Sequence, residues 1–245
     1  MSRYTAAVAG VLGESHLKTI ALVPEGATVL EVGPAGGYVT RALMDAGATA
    51  VDCIELDPED AAANDACRTM IVGSVEDEAV LAQVPDGTYD AVMCGDVLEH
   101  LRDASVAVRA LSAKLRPGGT LIASVPNVAH HELRLQLLRG RFDYTDIGPM
   151  DRTHLHFFTR KSLRELMEGA GLEVVAEDFT YKATAVERKI AAVLAARSGG
   201  GAPAAEPAAE PAAPAGGGLR TLVDAALYRA PGMLAYQLII QARRR

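Results

Sequence analysis

The stretch VLEVGPAGGYVTRAL, residues 29–43, constrains the fold and chemistry of this chain more than any other. An apolar run rich in valine is followed by a glycine-rich turn and then by a pattern with helical spacing. Gly33 and Gly37 permit a tight turn and leave room for a ligand near the backbone, and helix amides lie just beyond. This order of elements is typical of sites that hold a nucleotide-like ligand.

Short apolar runs alternate with helical patterns along roughly the first 180 residues. Six runs favour β-strands: residues 27–33, 50–57, 68–74, 89–100, 120–127 and 172–182. They are apolar throughout rather than alternating, which suits a parallel sheet covered by helices on both faces. The alternation predicts an α/β, Rossmann-like, doubly wound fold with a mostly parallel seven-stranded sheet and an antiparallel last strand.

The C-terminal part of the chain supplies the seventh strand in this prediction. Residues 198–218 are rich in Gly, Pro, Ala and Glu, which predicts a disordered insertion. Residues 219–245 are too few for a second domain, so we expect a helix and then a strand over 233–243 that returns beside strand six. We therefore interpret residues 1–245 as one domain. The alternative for this tail is a free amphipathic segment or a helix on a membrane surface.

Residues 128–160 are charged and aromatic and show no clear period. In an open parallel sheet, ligands bind beyond the carboxyl ends of the strands. This segment follows the fifth strand at that edge, so we interpret it as a lid or a substrate wall.

Composition excludes several partners. The net charge of −7 gives no general basic field, so nucleic acid is not expected as a partner. No run reaches the roughly 18 apolar residues of a transmembrane helix, and the N-terminus lacks the pattern of a secretory signal. Cys53, Cys67 and Cys94 follow no zinc or disulfide spacing and are expected to be reduced thiols. We expect a cytoplasmic protein that acts on a small molecule.

Two acidic residues, Glu55 and Glu31, narrow the class of cofactor that the loop could bind. Glu55 ends the second strand, where a carboxylate can accept both hydroxyl protons of a ribose. Dinucleotides and S-adenosylmethionine both fit that position. The loop GPAGG does not match the dinucleotide pattern GxGxxG, and Glu31 beside it would repel a pyrophosphate. The same charge suits a sulfonium cofactor that also carries an ammonium group.

Five motifs then follow one another in a single order within residues 15–182: VLEVGPAGG, CIELD, VGSVED, YDAVMCGDVLEHL and LRPGGTLIASVPN. Together they resemble the motifs of class I S-adenosylmethionine-dependent methyltransferases. The resemblance implies S-adenosyl-L-methionine as the cofactor. It also implies a set of cofactor-binding residues: Glu31, Gly33, Ala35, Gly37, Glu55, Leu56, Ser74, Val75, Gly95 and Asp96.

Two positions depart from the family's pattern. Ala35 stands where the loop usually has its middle glycine, but it is small enough to let a ligand approach. Ser74 stands where an acid often lies near the adenine amino group, which weakens that contact. The Val75 backbone and Glu76 are the substitutes we expect there.

The acceptor is expected to meet the lid. The lid sequence, which includes GPMDRTHLHFFTRKSL, is similar to a subgroup often associated with O-methylation of sugars, polysaccharides or natural products. We therefore expect a sugar or a small hydroxylated metabolite as the acceptor. An alcohol must lose its proton, most simply to a histidine or a carboxylate. We take His154 as the general base and Asp151 as the partner that sets its tautomer.

Two sets of side chains could instead hold a divalent cation. The first resembles an acid-acid-His element of a ubiquinone-pathway group and consists of Asp96, Glu99 and His100. The second lies in the lid, lacks an obvious fourth ligand and consists of Asp151, His154 and His156. We favour structural or proton-transfer roles for these residues and predict no metal site.

The other aromatic residues of the lid have simpler roles in this prediction. Phe157 and Phe158 are expected to anchor the lid in the core. His130 and His131 are adjacent, so at most one is expected to enter the pocket. Two other functions fit the same fold: a catalytically silent binding or scaffold module, and a nicotinamide-dependent dehydrogenase, which the loop spacing and Glu31 disfavour.

Overall fold

The computed structural model describes residues 12–181 and 231–245. Its strands are β1 (Thr28–Val32), β2 (Ala50–Glu55), β3 (Thr69–Val72), β4 (Tyr89–Gly95), β5 (Leu115–Pro126), β6 (Leu172–Thr180) and β7 (Gln237–Arg244). The α-helices are α1 (Glu14–Ile20), α2 (Tyr38–Asp45), α3 (Pro58–Ala63), α4 (Glu78–Leu81), α5 (Ala104–Lys114), α6 (His131–Leu138), α7 (Arg160–Gly169) and α8 (Pro231–Leu234). A short 3₁₀ helix spans Leu98–His100.

The seven strands form one sheet in the order β3-β2-β1-β4-β5-β7-β6. The strands from β1 to β5 pair in parallel. β7 lies between β5 and β6 and runs antiparallel to both of them. The α/β, doubly wound sheet with an antiparallel last strand is therefore confirmed.

Apolar clusters lie on the two faces of the sheet. One contains residues of α5 and α7, such as Leu111 and Met167, packed with Leu121 of β5. The other contains Leu43 of α2 packed with Val51 of β2. Every residue of β2 is buried, which explains why its sequence shows no polar alternation.

Several elements differ from the sequence-based expectation. The fourth strand, predicted over residues 89–100, ends as β4 at Gly95, and a 3₁₀ helix covers Leu98–His100. α6 lies inside the segment 128–160, where no helical period is visible. Leu133 of α6 is buried, but Leu135, Leu137 and Leu138 are exposed, so the helix has no apolar stripe that could reveal it. β5 begins at Leu115 rather than at residue 120, because Leu115 already pairs with Tyr89 before the register shifts.

The predicted insertion at 198–218 and the helix predicted after residue 219 lie outside the described residues. The interpretation of residues 1–245 as one domain stays a prediction. Among the helices of 12–181 and 231–245, none combines the length and the apolar character that a membrane crossing requires.

Candidate active site

The glycine loop between β1 and α2 contains three residues with a left-handed backbone. The angle φ is +71° at Gly33, +47° at Ala35 and +80° at Gly37. A Cβ on Gly37 would overlap the side chain of Asn64, and a Cβ on Gly33 would lie 2.9 Å from Val97 Cγ2. Both positions therefore require glycine for space as well as for conformation.

Glu55 ends β2 directly beside this loop. Its Oε2 accepts a hydrogen bond from the Ala35 amide at 2.9 Å, and its Oε1 accepts one from the Asp57 amide at 2.9 Å. Each carboxylate oxygen has a further lone pair, so both can also accept a ribose hydroxyl proton. The next residue, Leu56, is 70% exposed, as an apolar side chain must be if it is to pack on a nucleoside base.

Glu31 on β1 is buried at the centre of a polar network. Its Oε2 accepts a hydrogen bond from Thr40 Oγ1 at 2.7 Å, and Thr40 Oγ1 accepts one from Asn64 Nδ2 at 2.9 Å. Burial raises the pKa of Glu31 to about 7, with the Thr40 hydrogen bond lowering it and repulsion from Glu55 raising it. A cation bound at this point would stabilise the ionised carboxylate.

The loop after β3 differs in part from the expected contacts. Ser74 is half-buried, and its Oγ accepts a hydrogen bond from the Glu76 amide at 3.1 Å. Val75 is buried in the core. The Glu76 carboxylate accepts hydrogen bonds from the Arg102 and Asp103 amides at 2.8 and 2.9 Å, so it already fixes the loop before α5.

β4 ends at Gly95, and the chain turns at Asp96 through a left-handed conformation with φ at +52°. The Asp96 amide donates to Ser124 O at 3.0 Å. Burial raises the pKa of the Asp96 carboxyl, and the charge of His16 and the hydrogen bonds from Ser124 and Gln237 lower it. Asp96 is half-buried at the same edge of the sheet as the glycine loop.

The lid is attached to the 3₁₀ helix that follows Asp96. The carbonyl oxygen of Glu99 accepts hydrogen bonds from the Leu155 and His156 amides at 2.8 and 3.0 Å. His156 Nε2 lies 3.2 Å from Arg102 O, and His100 Nδ1 lies 3.4 Å from Thr153 O. These contacts hold the lid against the 3₁₀ helix and the loop that follows it.

His154 is buried at this junction, and its ring centroid lies 4.7 Å from that of His100. Its Nδ1 lies 3.3 Å from Pro149 O, which favours the tautomer with the proton on Nδ1 and the lone pair on Nε2. Asp151 Oδ1 accepts hydrogen bonds from the amide and the hydroxyl of Thr153 at 2.8 and 2.7 Å. A backbone carbonyl thus lies at Nδ1, and the role of Asp151 in setting the tautomer of His154 stays a prediction.

His100 connects this histidine pair to the cofactor side. Burial lowers its pKa, as does the charge of His154, whereas Asp151 and Asp96 raise it. His100 is thus close enough to both Asp96 and His154 for their charges to act on it.

Glu99 is 1% exposed, and neither of its carboxylate oxygens has a hydrogen-bond partner among the described residues. Burial raises the pKa of this carboxyl well above its usual range, and the negative charge of Asp96 adds to the rise. One ligand atom each from Glu99, His100 and His154 lies within 4.8 Å of the others. A buried carboxylate with two imidazoles has the donor chemistry of a divalent-cation site, and the set combines members of the two groups considered from the sequence.

A cluster of half-exposed aromatic rings extends from His154. The Phe157 ring centroid lies 6.5 Å from that of His154 and 5.8 Å from that of Phe142, which lies 5.5 Å from that of Tyr144. Phe158 is buried in the core as expected. The expectation for Phe157 was wrong, because its ring packs on the lid rather than in the core.

His130 and His131 lie at the start of α6. His130 is 2% exposed, and its ring lies edge-on to Tyr236 with centroids 5.6 Å apart. The His131 ring is tilted against it at 4.2 Å. Both rings are thus held in packing contacts near the base of the lid.

A comparison with known families shows to which family the chain belongs. The family described as "Methyltransferase domain" matches residues 4–177. The chain belongs to this methyltransferase family. The resemblance seen in the motifs is therefore confirmed, and with it S-adenosylmethionine as the cofactor.

Relatives and solved structures of methyltransferases are similar to the chain. A ubiquinone biosynthesis O-methyltransferase of Xanthomonas axonopodis pv. citri is 38% identical over 160 residues, which is 62% of this chain and 65% of that protein. One of Xanthomonas campestris pv. campestris is 39% identical over 109 residues, or 42% of this chain and 44% of that protein. The chain thus spans less than two thirds of these curated relatives.

The fold of this methyltransferase-family chain also matches solved structures. A SAM dependent methyltransferase from Archaeoglobus fulgidus has a TM-score of 0.63 at 13% identity, covering 99% of this chain and 100% of that chain. An S-adenosylmethionine dependent methyltransferase from Mesorhizobium loti has a TM-score of 0.57 at 14% identity, covering 95% and 99%. At these identities the likeness is one of fold.

Some residues of the site gave no usable signal in the sequence. Thr40 and Asn64 read as ordinary helix and turn residues, yet they form the hydrogen-bonded network around Glu31. Gln237 lies in an apolar run, yet its side chain reaches Asp96. Each joins elements that are distant in the chain, and only the packed sheet brings them together.

Proposed function

We propose that the protein is an S-adenosylmethionine-dependent O-methyltransferase of small hydroxylated metabolites. The observation that carries this proposal is the position of two sets of groups at one edge of the sheet. The glycine loop, together with Glu31 on β1 and Glu55 on β2, can hold the cofactor. His154 lies beyond His100, and the charges of both Asp96 and His154 affect the pKa of His100. A methyl donor and a proton acceptor are thus available to one substrate.

The cofactor-binding roles follow from the geometry of this chain's residues. Glu55 accepts the ribose hydroxyl protons, and Glu31 and Asp96 offer negative charge to a cofactor that carries a sulfonium and an ammonium. Gly33, Ala35 and Gly37 let the loop backbone approach it. We propose that Leu56, Ser74 and the backbone of Val75 contact the adenosine and that Gly95 keeps the end of β4 open.

The bound cofactor supplies an electrophilic methyl group. His154 Nε2 would accept the proton of the acceptor hydroxyl, and Glu31, Glu55 and Asp96 would hold the cofactor that supplies the methyl group. The Pro149 carbonyl holds the Nδ1 proton of His154 and so sets the tautomer. Asp151 acts through Thr153, which it fixes next to His154.

The set Glu99, His100 and His154 fits a divalent cation as a second arrangement. A cation there would supply Lewis acidity toward an acceptor oxygen. An imidazole nitrogen that binds a metal cannot accept a proton, so the two roles compete for His154. Turnover that persists in excess chelator supports the base role, whereas turnover lost with chelator and restored by Mg²⁺ or Mn²⁺ would overturn it.

We favour a hydroxylated aromatic ring over a sugar as the acceptor. The rings of Phe142, Tyr144 and Phe157 form a half-exposed apolar wall that begins at His154, which suits a flat apolar ligand. The relatives named for ubiquinone biosynthesis support the same class. A sugar would need more polar side chains than this wall offers.

Transfer of a labelled methyl group tests the proposal. The protein is incubated with methyl-labelled S-adenosylmethionine and either catechols of increasing hydrophobicity or simple sugars. We expect label in the catechols. Label in sugars alone would overturn the acceptor class, and cofactor binding without transfer to any acceptor, metabolite extract included, would support the scaffold alternative.

A matched pair of variants tests the cofactor site by calorimetry. Glu55→Ala should weaken S-adenosylhomocysteine binding about tenfold or more, because charge-assisted hydrogen bonds to the ribose are lost. Glu25→Ala, at an exposed position away from the loop, is the control. Equal affinity in both variants would place the ribose elsewhere.

A further inference from the structure

The last strand begins inside the candidate active site. Gln237, the first residue of β7, has its Nε2 3.0 Å from Asp96 Oδ1 and 3.0 Å from Asp96 Oδ2. Because both oxygens lie at the same distance from one nitrogen, a single N–H of the amide is shared between the two carboxylate oxygens. A residue far along the chain thus contacts the acid at the end of β4.

The orientation of the Gln237 amide follows from its other contact. Its Oε1 lies 3.5 Å from Thr180 Oγ1, which donates to it from β6. With the oxygen turned toward Thr180, the nitrogen must face Asp96. The contacts therefore run in one direction, from the hydroxyl on β6 through the amide on β7 to the carboxylate on β4.

The backbone before Gln237 is also fixed. Asn127 Nδ2 donates to Ala235 O at 2.8 Å, and the Asn127 amide donates to Tyr236 O at 2.9 Å. The Tyr236 amide donates to Thr180 O at 2.8 Å. Since both neighbouring strands hold this turn, the Gln237 side chain starts from a defined position.

Asp96 is the group that benefits from a fixed orientation. It stands among the charged or titratable groups of three other elements, His16 of α1, Tyr38 of α2, and Glu99 and His100 of the 3₁₀ helix. Ser124 Oγ supplies one further hydrogen bond to Oδ1, at 3.3 Å. The Asp96 carboxylate could rotate toward different neighbours, and the hydrogen bonds from Gln237 fix its orientation.

We propose that Gln237 is a positioning residue that holds the Asp96 carboxylate toward the cationic cofactor, so that the C-terminal strand completes the cofactor site. This inference rests on the proposed function, because it assumes that S-adenosylmethionine binds at the glycine loop. Gln237 acts through Asp96, and its effect should vanish where Asp96 has no charge to orient.

A double-mutant cycle on the full chain tests this, with the calorimetric Kd of S-adenosylmethionine as the readout. Gln237→Leu should raise the Kd about tenfold, the loss that corresponds to one hydrogen bond to a charged group. In an Asp96→Asn background the same change should alter the Kd less than about twofold. An equal loss in both backgrounds, or no loss in either, would overturn the proposal.

Gln241→Leu is the matched control. Gln241 lies on the same strand and donates to Leu22 O and Thr120 Oγ1, so its removal also costs hydrogen bonds in β7. We expect an unchanged Kd for this variant. A Kd raised as much as in Gln237→Leu would assign the effect to strand stability and overturn the positioning role.

A second substitution covers the case in which Gln237→Leu does not fold. Gln237→Glu keeps the shape of the side chain but places a second negative charge beside Asp96. In the Asp96→Asn variant, the carboxylate introduced at position 237 can instead accept a hydrogen bond from the amide of the Asn. We expect Gln237→Glu to raise the Kd more in the protein that retains Asp96 than in the Asp96→Asn variant. The reverse order would contradict the proposal. If the unaltered protein binds no S-adenosylmethionine, it is the proposed function that fails.

Discussion

Replacing Glu31 by Gln should stabilise the ligand-free protein, and by an amount that grows with pH. Glu31 is 3% exposed, and burial raises its pKa from 4.5 to about 7. The folded state therefore holds the proton more tightly than the unfolded chain does. A displacement of this size corresponds to about 3 kcal/mol between the two protonation states.

The sign of the pH effect follows from this raised pKa. Below pH 4.5 the carboxyl is protonated in both states and folding costs no charge burial. Between pH 4.5 and about 7 the unfolded chain loses the proton first, so the stability falls as the pH rises. Above the folded pKa the loss is complete. Gln has no proton to lose and should escape this penalty.

Urea denaturation followed by circular dichroism measures the difference, since the chain has no tryptophan for fluorescence. We expect Glu31→Gln and the unaltered protein to differ little near pH 4 and by about 3 kcal/mol above pH 8, in favour of Gln. Glu25→Gln, at an exposed position, should show no such trend. A difference that stays constant from pH 5 to 8 would refute the reasoning, because it would place the pKa of Glu31 in its ordinary range.

Three further substitutions test the loop and the lid. Gly37→Ala should lower the free energy of unfolding, measured by urea denaturation, by about 2–3 kcal/mol, because φ is left-handed and the new Cβ would overlap the Asn64 side chain. The control is Gly118→Ala, at a left-handed position with open space around it, which should cost about 1 kcal/mol. Equal costs would contradict the overlap. Ala35→Gly should raise the free energy of unfolding by up to about 1 kcal/mol, because glycine adopts the left-handed φ of this position without strain. A lower midpoint of urea denaturation would show that the loop is not strained at Ala35. His154→Gln should lower turnover by about a hundredfold or more without changing the affinity for the cofactor. His156→Gln, in the same lid, is the control. Comparable turnover in the two variants would show that His154 has a structural role.

The fold and the conformation of the glycine loop could be predicted because their signals are local. The strands are short apolar runs, and Gly33 and Gly37 mark a turn that only glycine can make. The antiparallel last strand required only that a short apolar run after the low-complexity segment return to the sheet. These inferences depend on residues that are near one another in sequence.

The rest of the site depends on packing between distant elements. His154 and His100 belong to separate segments, and contacts such as the hydrogen bonds to the Glu99 carbonyl bring their rings together. The network around Glu31 has the same character, since Thr40 lies on a helix and Asn64 after another. Phe157 was assigned to the core by its type, but its neighbours Phe142 and Tyr144 could not be known from the sequence.

The position of β7 sets the order in which this protein can be assembled during synthesis. β5 and β6 leave the ribosome first, yet they do not pair with each other, because the eight residues of β7 lie between them. Until Gln237–Arg244 emerge, each of these strands keeps an edge of unpaired amides and carbonyls, the kind of surface on which incomplete chains aggregate. A nascent chain can therefore close its sheet only after β7 has been synthesised, and protection of those two edges until then is a requirement of this topology.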